Sequence, residues 1–341
     1  MKDTVVIFLC LTLSLSASSQ NFEDIEFLLL ASKEDQNLIF KEYFGPVVSS
    51  VNYGMASGWY NTAKTHKKLG FDITLSLNSS FIPTSAETYS TSGLTSISSS
   101  SEQLPTVLGG STNETMSISL FGQGSVPELN ASFIAPSGIK DDLPLSIIAT
   151  PSVQIALGLP YKTDLIVRYI PVRSNKNTSV GLKGIGIKHN LLQHFGPADK
   201  IPVIDLSLLA AYSTYSIDYN IQKTSNLDGA NQQALISMDS YVIKLISSID
   251  IKLLNLYAGL GYSRSISDLK ILGSYNLPYT IADTSEQIIV NVSDPLIVNW
   301  DKESISGNAG ISFKLPGIKI FADYTVQKYN SVSVGISLSV R

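Results

Sequence analysis

Apolar and polar side chains alternate along the last part of the sequence, between Ser304 and Arg341. In the final segment Val334 and Ile336 fall on one face, and Ser333 and Ser337 fall on the other. Alternation with a period of two is the pattern of a β-strand. Repeated segments of about ten such residues are typical of a transmembrane barrel, because closure pairs every backbone group in lipid. The pattern therefore predicts an all-β fold, a transmembrane antiparallel up-and-down β-barrel.

Residues 1–19 have the composition of a signal peptide. A charged start is followed by an apolar run from Val5 to Leu15, and Ala17 and Ser19 are the small residues expected before a cleavage site. The chain contains a single cysteine, Cys10, which lies inside the apolar run. The mature protein is therefore expected to have no disulfide and no thiolate metal site.

The composition after the signal peptide favours a barrel over other classes of membrane or nucleic-acid-binding protein. Charged residues make up 15% of the chain, against about 25% in ordinary soluble domains. Apolar runs stay well below the ~20 residues of a membrane-spanning helix. Net charge is −4 without a basic cluster, so nucleic acid is not an expected partner. We expect the protein to lie in the outer membrane of a Gram-negative bacterium, with the membrane lipid as its partner. The alternative is a soluble exported β-sandwich. The sequence does not indicate an oligomeric state.

Residues 20–57 follow a different pattern. Apolar residues recur at intervals of three and four, which predicts amphipathic helices, and Ser32 is the expected N-cap with Asp35 three positions on. In a barrel these helices would form a plug or hatch in the lumen; a loosely docked periplasmic arm is the alternative. The predicted division is a signal peptide at 1–19, helices at 20–57 and the barrel at 58–341.

The barrel is expected to contain about twelve to fourteen strands. Long connections are predicted at Thr84 to Asn113, Ile221 to Ser237 and Asp268 to Glu303 on the extracellular side, and an even strand number would place both termini on the periplasmic side. Three strands are predicted between Ser304 and Arg341, and the first clear strand begins at Leu69. The other predicted strands are Thr115 to Phe121, Leu129 to Ala135, Leu145 to Leu157, Thr163 to Pro171, Val180 to Leu191, Ile204 to Tyr219, Tyr241 to Ile251 and Leu256 to Ser267. A weak strand near Trp59 to Thr65 or a hairpin within Tyr275 to Val298 would raise the number to fourteen.

Ionisable residues occupy the polar face of several predicted strands. Because a charge facing lipid costs up to several kcal/mol, we expect these side chains to line the lumen. They could form a polar conduit or ligand path, or a network that satisfies its own charges and fills a small barrel. The candidate lumen-lining residues are Asp72, Arg168, Lys188, Asp205, Lys244, Asp250, Lys314 and Asp323.

Motifs for catalysis or cofactor binding are weak. The S-x-x-K pattern at Ser267 to Lys270 lacks the companion motifs of serine acyl enzymes. His189 and His194 are five residues apart, a spacing that suits neither a helical nor a strand metal site, and His66 is expected at the periplasmic rim. We therefore predict no catalytic residue, no cofactor, no metal and no enzymatic activity.

Two stretches resemble a known group of proteins. The first is Gly58-Trp59-Tyr60-Asn61-Thr62-Ala63-Lys64 running into Leu69-Gly70-Phe71-Asp72, and the second is Pro151 to Pro160 leading to Arg168-Tyr169-Ile170-Pro171. Together with Gly184-Ile185-Gly186-Ile187-Lys188-His189 they resemble an uncharacterised family of bacterial outer-membrane barrels that is distantly similar to long-chain fatty-acid transporters. The resemblance implies N-terminal helices acting as a hatch and a hydrophobic small molecule as ligand. The predicted function is passive uptake of hydrophobic or small solutes; the alternative is a closed barrel whose long extracellular loops bind a partner or polymer.

Overall fold

The computed structural model of the chain describes residues 27–120, 128–175, 177–196, 203–221, 228–282 and 284–340. The predicted signal peptide, with Cys10, lies outside the described residues. One long helix, α1 (Lys33–Ala56), follows a 3-10 turn at Phe27–Leu30. None of the described helices is long and apolar enough to cross a membrane.

Sixteen strands follow α1 in the described part of the chain. They are β1 (Phe71–Phe81), β2 (Thr88–Ser90), β3 (Ile97–Ser99), β4 (Gln103–Pro105), β5 (Thr115–Leu120), β6 (Leu129–Ile134), β7 (Ile147–Leu159), β8 (Thr163–Asn175), β9 (Thr178–Asn190), β10 (Ile204–Asn220), β11 (Asp228–Ile251), β12 (Leu254–Ile281), β13 (Gln287–Ser293), β14 (Leu296–Leu315), β15 (Ile318–Val326) and β16 (Ser331–Val340). Short 3-10 turns lie at Thr84–Ala86, Lys140–Asp142, Pro144–Ser146 and Leu192–His194.

Ten of these strands pair into a ring. The order is β1, β7, β8, β9, β10, β11, β12, β14, β15, β16 and back to β1, and each pair is antiparallel. β1 closes the ring, because Phe71 lies opposite Leu157 of β7 and opposite Val340 of β16. The predicted transmembrane antiparallel barrel with an N-terminal helix is confirmed.

The ring has fewer strands than the predicted twelve to fourteen. The segments predicted as strands near residues 115 and 129 form β5 and β6, which extend the sheet from the far end of β12 and do not enter the ring. The hairpin predicted within Tyr275 to Val298 is the pairing of the end of β12 with β13. The predicted loop Asp268 to Glu303 is therefore mostly strand, because β12 and β14 continue well beyond the barrel.

The two ends of the barrel differ. At one end short turns join β7 to β8, β11 to β12 and β14 to β15, and Lys252 and Gly317 adopt the positive φ values that such tight turns require. At the other end residues 82–146 connect β1 to β7, and residues 282–295 connect β12 to β14. We call these the turn end and the loop end.

The barrel has its apolar side chains on the outside and its polar side chains on the inside. Every ring strand exposes large apolar residues, among them Ile73, Leu75, Ile155, Val167, Ile187, Leu208, Ile243, Leu260, Ile305, Ile320 and Ile336. Buried inward residues include Thr74, Ser76, Asn78, Ser152, Gln154, Ser207, Ser248, Ser312 and Ser337. This distribution is the reverse of that in a water-soluble β-sandwich and matches a barrel whose outer surface contacts lipid.

A second folded region, which we call the head, lies at the loop end. It contains the first part of α1, strands β2 to β6 and β13, and the ends of β11, β12 and β14 that extend past the barrel. Ser32 caps α1 as predicted, since its Oγ accepts a hydrogen bond from Asp35 N at 3.3 Å. The head has an apolar core that includes Leu28, Leu30, Ile39, Phe40, Tyr43, Leu108, Met116, Ile118, Tyr275, Leu277, Leu296 and Trp300.

Candidate functional site

The lumen is occupied by the chain itself. Residues 50–66, which we call the plug segment, comprise the last turns of α1 and the extended chain that follows. The segment enters from the head, passes Trp59 at mid-barrel and reaches the turn end at His66, shortly before β1 begins. The first described residues therefore lie at the loop end, where Leu30 O accepts a hydrogen bond from Tyr279. The prediction that both termini lie on the same, periplasmic side is wrong for the described residues, because the segment before β1 threads the lumen and leaves Leu30 and Val340 at opposite ends of the barrel.

Side chains of the barrel wall bind the backbone of the plug segment. The weak strand predicted at Trp59 to Thr65 does not form, because wall side chains take the backbone groups that a sheet would use. Six wall side chains donate hydrogen bonds to carbonyl oxygens of the plug segment. These bonds run from Ser80 to Ser50 O (2.9 Å), from Arg168 to Met55 O (3.0 Å) and Ser57 O (3.1 Å), from Gln154 to Trp59 O (3.3 Å), from Ser312 to Asn61 O (3.3 Å), from Lys188 to Lys64 O (2.9 Å) and from Ser207 to Ala63 O (2.6 Å). Such bonds each contribute about 1 kcal/mol net, and a buried carbonyl left without a donor costs more.

Strands from most of the ring take part in these contacts. The carbonyl donors lie on β1, β7, β8, β9, β10 and β14. β11 contributes Ser248, whose Oγ accepts from Ala63 N at 3.1 Å, and β12 contributes Ser267, whose Oγ accepts from Asn52 Nδ2 at 2.9 Å. The plug segment is therefore held all around the lumen and not along one wall.

Arg168 makes the most extensive contact with the plug segment. Its side chain is 1% exposed, and its guanidinium donates to the carbonyls of Met55 and Ser57 and to Gln154 Oε1 at 3.2 Å. The same group stacks 3.9 Å from the centre of the Trp59 ring. A planar guanidinium suits this site because it can donate in several directions and stack on an aromatic face at once.

Two glycines of β9 make room for the Trp59 indole. A Cβ at Gly184 would lie 3.0 Å from Trp59 Cη2, and a Cβ at Gly186 would lie 3.2 Å from Trp59 Cζ3. Trp59 Nε1 donates to Met55 O at 3.0 Å, so the indole is also fixed from its own segment. The glycines allow close contact between ring and wall, a common reason for glycine in a strand.

A cluster of charges surrounds His66 at the turn end. His66 lies 3.1 Å from Asp164 and 3.2 Å from Asp72, Lys188 lies 3.1 Å from Asp164, and Lys319 lies 3.4 Å from Asp72. Burial lowers the pKa of His66, but hydrogen bonds to and charges on Asp164 and Asp72 outweigh burial and leave that pKa above its ordinary value. The end of the plug segment is therefore tied to the wall by paired opposite charges.

The eight predicted lumen residues fall into two sets. Asp72, Arg168, Lys188, Lys244 and Asp323 are almost fully buried and point inward. In the middle of the barrel Tyr257 donates to Asp323 at 3.0 Å, and Lys244 lies 5.9 Å from the Tyr60 ring.

The remaining three lie at the turn-end rim. Asp250 pairs with Lys314 and, at 3.1 Å, with Lys64 of the plug segment, and Asp205 accepts from Asn190 at 2.9 Å. The sequence analysis missed Asp164 and Lys319 as partners. Alternation could have identified Asp164, because it lies four residues before Arg168 on the same face of β8.

One family profile matches almost the whole sequence. It is described as a family of unknown function (DUF6588), and the match covers residues 1–340. The chain belongs to this family. The predicted resemblance to an uncharacterised group is thereby confirmed, and no curated protein matches this DUF6588 chain.

Several solved outer-membrane structures are similar to this DUF6588 chain at low sequence identity. The translocator domain of the autotransporter NalP from Neisseria meningitidis is 11% identical, with 90% of this chain and 98% of that chain covered and a TM-score of 0.30. Ail of Yersinia pestis, in complex with a heparin analogue, is 8% identical, with 80% of this chain and 100% of that chain covered and a TM-score of 0.27. The toluene transporter TodX of P. putida is 8% identical, with 79% of this chain and 89% of that chain covered and a TM-score of 0.25. At TM-scores of 0.30 and below, these three structures say nothing about the function of this chain.

Proposed function

We propose that this DUF6588 chain is an outer-membrane β-barrel whose lumen is closed by its own plug segment and whose head binds an anionic partner or polymer outside the membrane. The observation that carries the proposal is the set of wall donors that bind plug carbonyls from Ser50 to Lys64. The proposal contains no catalytic step.

The outward apolar band supports the location. Exposed large apolar residues occur on every ring strand, and a surface of this kind is stable in lipid and prone to aggregate in water. In outer-membrane barrels the short turns face the periplasm and the longer loops face outward. The head at the loop end would then lie outside the cell.

Passive uptake of hydrophobic or small solutes, the first function predicted from the sequence, is less well supported. The plug segment would have to leave the lumen, which would break bonds to at least six strands and leave Arg168 and Lys188 buried without these partners. The wall is lined mainly by Ser, Thr, Asn and charged side chains, and its inward apolar residues Ile166, Leu209 and Ile246 are covered by the plug segment, so little apolar surface is open to a hydrophobic solute.

A cleft at the mouth of the barrel supports binding of an anionic group. The cleft has a volume of about 270 Å³ and lies between α1, the start of β14 and the turn before β16. Lys41, Lys302 and Lys328 line it, against a single acidic residue, Glu42. Three lysines from three separate elements give the cleft a positive charge that favours carboxylate, sulfate or phosphate groups.

Binding of dextran sulfate to the detergent-purified protein tests the head, and uptake of labelled solutes into proteoliposomes tests the lumen. We expect saturable, salt-sensitive binding that a triple variant, Lys41→Gln, Lys302→Gln and Lys328→Gln, weakens by about tenfold or more. A control with Lys33→Gln, Lys68→Gln and Lys162→Gln removes the same charge elsewhere. Equal binding by both triple variants would contradict the binding role, and solute uptake by the unmodified protein would contradict the closed lumen.

A further inference from the structure

Strand β13 forms one edge of the sheet in the head. It pairs with one side of β12, while β11 and β6 pair with the opposite side of β12. Among the described residues no strand pairs with the other edge of β13. Such an edge presents unpaired N–H and C=O groups to any strand that approaches it.

The hydrogen bonds at the two ends of β13 show which backbone groups point toward this open edge. Ile281 N donates to Glu286 O, and Asp294 N donates to Gly273 O, both at 2.9 Å. Bonded pairs alternate along an antiparallel ladder, so the odd-numbered residues between these two pairs turn their N–H and C=O groups away from β12. These residues are Gln287, Ile289, Asn291 and Ser293.

β13 lacks the features that normally protect an open edge. Residues 287–293 include no charge, proline or glycine and are mostly Ile and Val, and the side chain of Ile289 is 71% exposed. The neighbouring strand β14 differs, because Pro295 precedes it and charged residues occupy 301–303. Since proline and charge are the usual means of blocking edge pairing, β13 is the part of this edge that is suited to pairing.

The sequence of β13 is complementary to itself in an antiparallel arrangement. With Ile289 opposite the Ile289 of a second copy, Ile288 faces Val290 and Gln287 faces Asn291. Odd-numbered residues stay opposite odd-numbered ones, so the residues that pack against the head core remain on the core side in both copies. The apolar core of each head would therefore continue into the other.

Asn291 is already oriented for this pairing. Its Nδ2 donates to Ser274 Oγ and to Asn276 Oδ1, each at 2.8 Å. The amide oxygen of Asn291 then points away from these two acceptors, and it can accept from the amide of Gln287 in the second copy.

Charge selects the register with Ile289 at the centre. If Val290 were at the centre, Glu286 would face Asp294, and like charges that lie directly opposite are destabilising. With Ile289 at the centre, Glu286 faces Val292.

We propose that β13 is a homophilic contact, at which a second copy of this chain adds its own β13 as an antiparallel strand. The two-fold axis of such a pair is perpendicular to the sheet, so the second barrel points in the opposite direction. Two copies in facing membranes can adopt this arrangement, whereas neighbours in one membrane cannot. This consequence rests on the proposed position of the head outside the membrane.

Disulfide cross-linking of the detergent-purified protein tests both the pairing and its register. A residue at the centre of the pair lies about 5.5 Å from its copy between Cα atoms, a separation that a disulfide can span. We expect Ile289→Cys to form a linked dimer on oxidation. Ile297→Cys, at an exposed residue of β14, is the control and should stay monomeric. A mixture of Gln287→Cys and Asn291→Cys should link one variant to the other.

Light scattering of the protein without cysteine substitutions measures the same contact. We expect Ile289→Lys to lower the dimer fraction about tenfold or more, because it places two like charges opposite each other, and Ile297→Lys to leave it unchanged. An unmodified protein that is monomeric, or equal cross-linking of Ile289→Cys and Ile297→Cys, would overturn the proposal. Either failure would leave dextran sulfate binding by the lysine cleft untouched, so the two proposals can fail separately. A mobility shift on heating shows that each variant is folded.

Discussion

Arg168 is the residue on which the contact between plug segment and wall depends most. Replacement by Met keeps much of the side-chain volume but leaves the carbonyls of Met55 and Ser57 without their donor. We expect Arg168→Met to lower the free energy of unfolding by about 3 kcal/mol, because unpaired buried polar groups keep their full desolvation cost. The measurement is the temperature at which the folded band disappears on gels. Lys183→Met, which replaces an exposed cation on β9, is the control, and equal losses in both variants would contradict this role.

A second prediction at the residue scale concerns the contact between Trp59 and the two glycines of β9. Gly184→Val places branched carbon where the indole lies, so we expect loss of folded protein or a clearly lower melting temperature. The double variant Gly184→Val with Trp59→Leu should recover part of the loss. Gly307→Val is the control, since a Cβ there meets only Leu260 at 3.4 Å. No recovery in the double variant would show that the contact is not the cause.

At the scale of elements, the end of the plug segment is held by the charges around His66. Protonated His66 pairs with Asp72 and Asp164, and Lys188 and Lys319 face the same two carboxylates. Because the pKa of His66 is raised in the folded state, its stabilising effect is fully present below the unfolded pKa of about 6.5 and is lost as pH rises through the folded pKa.

Melting temperatures measured between pH 5.5 and 9 test this linkage. We expect the unmodified protein to lose stability on the alkaline side of pH 6.5 and His66→Gln to lack that component. The difference between the two proteins should therefore shrink as pH rises. A difference that stays constant over the whole range would contradict the pairing of charged His66 with the carboxylates.

The elements also show how far the sequence determines the fold. Alternation predicted the ring strands and their polar faces, because a period of two residues is a local pattern that is enough to place Asp72 inward and Ile73 outward. The head was not predicted, since β12 and β14 keep alternating beyond the barrel and a local pattern does not show where lipid ends. The path of the plug segment was also hidden, because its partners, such as Gln154 for Trp59, are distant in sequence and leave no periodic signal.

At the scale of the whole molecule, the two ends of the barrel should face different compartments. Cys10, inside the predicted signal peptide, is the only cysteine of the sequence. We expect cleavage of that peptide to remove it, so that a single introduced cysteine reports its own position. We expect Ser285→Cys, in the connection at the loop end, to react with a membrane-impermeant maleimide on intact cells. Lys252→Cys, in a turn at the opposite end, should react only after the outer membrane is opened. The reverse pattern would place the head in the periplasm.

Closure of the lumen is the property that most separates a binding barrel from a solute channel. Single-channel recording on the purified protein in a planar bilayer measures it directly. The hydrogen bonds between the wall and residues 50–64 predict a silent unmodified protein and intermittent openings in Arg168→Met, where the plug segment is less firmly held. A steady open conductance in the unmodified, heat-modifiable barrel would contradict a lumen closed by the chain itself.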